Sequence, residues 1–135
     1  MNRHTTLLGI AATTLLSLAL VACKHESEAK SPNGALQFEL KAPSSQTITQ
    51  GTTNQVRIGV DRKDFKGEID LSFDQLPAGV RAITTTVIPA NQSSLDVTLE
   101  AAGDAGLVVD KACVITAKGG GATTNQTFKV SVKQR

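Results

Sequence analysis

From Leu36 onward, apolar and polar residues alternate with a period of two. Leu36, Phe38 and Leu40 are interleaved with Gln37, Glu39 and Lys41, and Val56, Ile58 and Val60 with Arg57 and Gly59. The same period returns in Ile69, Leu71 and Phe73, in Leu95, Val97 and Leu99, in Cys113, Ile115 and Ala117, and in Phe128, Val130 and Val132. Successive side chains of a strand point to opposite faces, so each set defines a strand with one buried side. Gln46–Thr49 and the Thr-rich Ala82–Val87 are shorter strand candidates. Turn signals fall between them: Pro43 with Ser44 and Ser45, Gln50 with Gly51, Lys66 with Gly67, Pro77 to Gly79, Pro89 to Ser93, Gly103 to Gly106, and Gly119 to Gly121. No helical period is present in this region. Short strands at regular spacing predict an all-β domain of two antiparallel sheets packed face to face.

The N-terminal pattern is different. Arg3 precedes an apolar run from Leu7 to Val21, the layout of an export signal. The run is interrupted by Thr13, Thr14 and Ser17, and a permanent bilayer span takes roughly 20 apolar residues. A cleaved leader is therefore expected over 1–22. Its end, Leu20-Val21-Ala22-Cys23, resembles the lipobox of bacterial lipoproteins. That resemblance implies a diacylglyceryl group on the Cys23 thiol, cleavage just before Cys23, and acylation of the new amino group. Two acyl chains suffice for stable attachment to a membrane. In such proteins a residue other than Asp after the cysteine, here Lys24, is compatible with transfer to an outer membrane.

Residues 24–35, KHESEAKSPNGA, are polar and contain Pro32 and Gly34. They read as a flexible tether following the lipidated Cys23, with a random-coil span of roughly 20 Å. The remaining 36–135 is one domain, of a length suited to a single core. Within it, FKGEIDLSFDQLPAGV (Phe65 to Val80), VIPANQSSLDVTLEAAGDAG (Val87 to Gly106) and TFKVSV (Thr127 to Val132) resemble the bacterial immunoglobulin-like modules of envelope and secreted proteins. The resemblance implies an immunoglobulin-like antiparallel β-sandwich of about seven to eight strands. It also makes these motifs structural, with Gly67 and Gly79 in tight turns and Leu76 and Val80 plugging one end of the sandwich. The Trp and paired cysteines of antibody domains are absent.

Composition narrows the function classes. Lys plus Arg number 14 against 12 Asp plus Glu, a balance that gives no electrostatic reason to expect nucleic acid. There is no Trp or Tyr, so platforms for stacking sugars are scarce. The two histidines are His4, in the leader, and His25, in the tether, and neither can serve a catalytic dyad on the folded domain. Blue copper needs two His beside a Cys and usually a Met, whereas the one Met is Met1. Asp61, Asp64, Glu68, Asp70 and Asp74 cluster in sequence, but Arg62, Lys63 and Lys66 interleave them and favour a solvated mixed-charge surface over a calcium site. A carboxylate pair for glycoside hydrolysis lacks accompanying aromatics.

Cys113 falls on the inward side of its strand and reads as a buried, inert thiol, with an intermolecular disulfide as the alternative. AKGGGATT lacks the Lys-Ser/Thr ending of a phosphate loop and reads as a flexible hairpin. Asn91 and Asn125 satisfy the glycosylation sequon formally but suit turn and strand-start positions. The expectation is thus a non-catalytic envelope module, lipid-anchored at Cys23, without cofactor or metal. Its partners would be the membrane and an envelope protein or polysaccharide, reached through end loops or an exposed edge such as Ile83 to Val87. A carbohydrate-binding module for cell-wall or capsular glycan is the alternative, and a hydrolase comes third.

Overall fold

The computed structural model describes residues 26–135, which form ten strands in two five-stranded sheets. The strands are β1 (Glu26–Lys30), β2 (Leu36–Lys41), β3 (Gln46–Thr49), β4 (Thr53–Arg62), β5 (Ile69–Asp74), β6 (Val80–Ala82), β7 (Val87–Ile88), β8 (Ser94–Ala101), β9 (Val108–Gly119) and β10 (Ala122–Lys133). One sheet has the order β1-β2-β4-β8-β6 and the other β3-β10-β9-β5-β7. All pairings are antiparallel except β3 with the end of β10, which run parallel from Gln46↔Val130 to Thr49↔Lys133. The protein is an immunoglobulin-like β-sandwich: the two packed sheets are those the alternation predicts, the immunoglobulin-like arrangement is the one the resemblance implies, and ten strands stand where about seven to eight were expected.

The six strongly alternating segments are β2, β4, β5, β8, β9 and β10, and their inward residues meet between the sheets. Phe38, Leu40, Val56, Ile58, Val97 and Leu99 come from the first sheet and face Ile48, Ile69, Ile88, Ile115 and Val130 of the second, all essentially inaccessible to solvent. Each such side chain contributes about 1.5–3 kcal/mol through its removal from water. The outer face of the first sheet carries cross-strand ion pairs. Arg57 and Asp96 are directly opposite on β4 and β8 and joined by two bonds of 2.8 Å, and Arg81 and Glu100 are opposite on β6 and β8.

Two elements differ from expectation. Residues 26–30, expected within the flexible tether, form β1, paired antiparallel with β2 from Glu26↔Lys41 to Lys30↔Leu36. Pro32 and Gly34, which suit a linker, also suit a hairpin turn. Here Ser31 N–H donates to Ala35 O (2.8 Å), Gly34 N–H to Ser31 O (2.8 Å) and Ala35 N–H to the Asn33 side chain. Ala29 is the one apolar residue of β1 and is fully buried, which is too little hydrophobic pattern for the strand to be read in advance. The Ala82–Val87 candidate divides into β6 and β7, which are edges of opposite sheets. Ile83 to Thr86 therefore crosses the side of the sandwich, held by Ile83 N–H to Thr98 O (2.9 Å) and Leu71 N–H to Thr86 O (2.8 Å).

Candidate functional site

At one end of the sandwich β5 leads into β6, β8 leads into β9, and β10 finishes. The Leu76-Pro77-Ala78-Gly79-Val80 turn and the Ala101 to Gly106 loop lock together there. Ala102 N–H donates to Gly79 O (2.9 Å) and Gly106 N–H to Ala78 O (3.0 Å). Gly79 has a φ of 80°, and a Cβ on it would lie 2.9 Å from the Ala105 Cα, so two reasons require glycine. Gln50, from the β3–β4 turn, adds a bond from Nε2 to Ala105 O (2.6 Å). The Leu76–Val80 turn and the Ala101–Gly106 loop are therefore joined in space as structural partners.

This rigid base carries an apolar projection. Leu107 is 59% exposed and Val109 82% exposed. Alternation inward at Cys113, Ile115 and Ala117 would place Val109 inside as well, but a β-bulge intervenes. Val109 and Asp110 of β9 face the single residue Ser131 of β10, between the pairs Val130↔Lys111 and Val132↔Val108. Asp110 has a φ of 50°, and its N–H donates to Ser131 Oγ (2.9 Å). A bulge re-aims the side chains beyond it, and here it turns Val109 to solvent. Beside it an open pocket of about 190 Å³ is lined by Pro77, Ala78, Gly106, Leu107, Val108 and Lys111. The Lys111 ammonium donates to Leu76 O (3.3 Å).

The opposite end is organised around Arg62 and Phe65. Arg62 donates from Nε to Gln92 O (2.6 Å), from Nη1 to Gly67 O (2.7 Å) and Phe65 O (3.2 Å), and from Nη2 to Pro89 O (3.0 Å). The Phe65 ring lies so close to Gly67, Gly119 and Gly120 that a Cβ on any of them would approach it within 2.7 Å. The Gly120-Gly121 hairpin, with φ of 58° and 75°, is thus a tight two-residue turn capped by an aromatic ring. It is the hairpin between the last two strands that its glycines predict, with Ala122 paired to Gly119.

The remaining sequence candidates divide as follows. Cys23, His4 and His25 lie outside the described residues. Cys113 is fully buried and unpaired, with its thiol directed to Gln75 O (3.4 Å), and burial raises its pKa. That geometry favours the inert thiol over a disulfide between molecules. The acidic residues do not converge. Asp61 is paired with Lys63 (2.9 Å), Asp70 is opposite Lys118 on β9, and Asp64 and Glu68 lie between β4 and β5. Among the described residues no group of three or more His, Cys, Asp or Glu is placed to hold a metal ion. Asn91 occupies a turn at φ 63°, and Asn125 is exposed on β10. Sequence alone missed the Leu107–Val109 projection, because its signal is the bulge and alternation carries no mark of it.

No family model matches the chain, and no curated protein does. Among solved structures the chain is similar to a chimeric titin Z1Z2 functionalized with a KLER exogenous peptide from decorin, at 13% identity and a TM-score of 0.44. The match covers 84% of this chain and 99% of that one.

Proposed function

We propose that the protein is a lipid-anchored component of a bacterial cell envelope that displays a non-catalytic immunoglobulin-like module. The lipobox-like Leu20-Val21-Ala22-Cys23 supports the anchor. The observation that carries the reading is the position of the folded unit. The described residues 26–135, all of which follow Cys23, close a sandwich core among themselves. Acylation of Cys23 would leave every described core residue untouched, so the leader and the domain suit one another. The functional surface is the end bearing Leu107 and Val109, since a rigid loop base with exposed apolar residues is where contacts outside the molecule gain most.

Labelling of producing cells with radioactive palmitate tests the anchor. Label should enter the wild-type protein and fractionate with membranes. The Cys23→Ser variant should lose the label. A wild-type protein that takes up no label and is released in soluble form contradicts the reading. Retention of the purified protein on cell-wall or capsular glycan, abolished by changes at the Leu107–Val109 end, would favour the carbohydrate-binding alternative.

A further inference from the structure

The strand β1 is held by few side chains. Its one buried apolar residue is Ala29. Glu28 stands directly opposite Glu39 of β2, and like charges in that position disfavour pairing. The ion pair of Glu28 with Lys30 (2.9 Å) is exposed, so it offsets little of this. β1 also lies against β10, whose buried residues include the polar Thr124 and Gln126. Little apolar surface therefore keeps β1 in place.

Its neighbour β2 is secured independently. β2 pairs with β4 from Phe38↔Arg62 to Leu40↔Val60, its Phe38 and Leu40 fill the core, and Gln126 Nε2 donates to Leu40 O (3.1 Å). With β1 lifted away, those contacts persist and β2 becomes a free sheet edge. Such an edge is a template for another strand.

The strand that fits this edge is narrowly specified. It pairs in register with Leu36 to Lys41, places a small residue opposite Phe38 where Ala29 is fully buried, and shifts register between Ala29 and Lys30. The β1 strand of a second copy meets all three conditions by identity. Ser31 to Ala35 supplies the hinge. The turn bonds from Ser31 N–H to Ala35 O and from Gly34 N–H to Ser31 O lie among exposed residues, so water can replace them. Ser31 precedes Pro32, which biases it toward extended backbone. Five extended residues reach up to about 18 Å, against roughly 10 Å across two strand spacings.

We propose that β1 is exchanged between two copies of this chain, each β1 pairing with β2 of the other copy in a two-fold dimer that is in equilibrium with the monomer. Exchange retains every contact of β1 and alters only the turn, which makes it a low-cost route to a dimer. It goes beyond the envelope reading and does not depend on acylation of Cys23. Gly34 makes the hinge testable. It has a φ of 83°, and a Cβ on it would meet nothing within 4 Å, so Gly34→Val strains the closed turn through the backbone alone. That strain disfavours each closed turn about tenfold, and because a dimer contains two opened turns its association constant should rise about a hundredfold.

Glu28→Cys and Glu39→Cys, placed singly in two differently tagged full-length copies, are produced together and oxidised with copper phenanthroline in intact cells. A non-reducing gel and peptide mapping then identify the linked chains. Linkage between position 28 of one copy and position 39 of the other is expected, at a yield that rises when both copies also carry Gly34→Val. A single chain carrying both cysteine substitutions reports the closed turn. Linkage within that chain, with none between the co-produced copies, overturns the exchange. No linkage within or between chains shows that β1 is not paired with β2, and overturns it too. Linkage from position 28 to position 28 shows two β1 edges meeting without exchange, and linkage between copies that is insensitive to Gly34→Val shows that the turn is not the hinge; either result contradicts the proposal.

Discussion

Phe65 shows how strongly one side chain constrains the residues around it. Its ring fills space that Gly67, Gly119 and Gly120 leave open, and Arg62 stands 5.9 Å from its centroid while binding four loop carbonyls. The three atoms nearest to a methyl on Gly67 all belong to the Phe65 ring, the first at 2.6 Å. Gly67→Ala should therefore cost about 1–3 kcal/mol, typical of overpacking, and much less in a Phe65→Leu background. Denaturant unfolding of the double-mutant cycle measures the coupling, and equal costs in both backgrounds would contradict the packing. At the bulge, Asp110 has a left-handed backbone. Asp110→Gly should leave stability nearly unchanged, whereas Asp110→Val should lose about 1–2 kcal/mol and shift the environment of Val109, read as altered amide resonances for Val108 to Lys111. Cys113, buried and raised in pKa, should react with thiol reagents only on unfolding.

Among the elements, β1 is the least secured. Its buried apolar contribution is Ala29, and its Lys30–Glu28 pair is solvent-exposed. Native-state hydrogen exchange should release β1, β6 and β7 first and β4, β8, β9 and β10 last, and uniform protection would contradict this ranking. The elements also show what could be read in advance. Strands such as β4, with Val56, Ile58 and Val60 on one face, announce themselves because their burial is one-sided. β1 does not, because its pairing depends on backbone bonds to β2 and a Ser-Pro-Asn-Gly turn whose residues equally suit a linker. β6 and β7 are too short for a period, and their allocation to different sheets is a tertiary outcome. The projecting Val109 was hidden for a related reason, since a bulge reverses the alternation by which inward residues are recognised. By contrast, the turn glycine Gly79 was legible from its motif and is held there by Ala105.

At the scale of the whole fold, pH acts on the described residues through a few paired or buried groups. Hydrogen bonds from Lys63 and Arg57 lower the pKa of Asp61 and Asp96, and burial raises that of Cys113. The carboxylates contribute stability above their unfolded pKa that is lost as pH falls through the lowered folded values. The thiol contributes stability below its unfolded pKa that is lost as pH rises toward the raised folded value. The melting temperature should thus be flat between about pH 5 and 8 and decline on both sides, with a shallow acid limb because both ion pairs are exposed. A maximum displaced well outside this window would contradict the assignment. The lipid-anchored reading depends on the chemistry of Cys23, and mass spectrometry of the mature N-terminal peptide measures it directly. The account predicts a peptide that begins at Cys23 and carries a diacylglyceryl thioether with an acylated amino group. A mature chain that begins elsewhere, or at an unmodified Cys23, would contradict it.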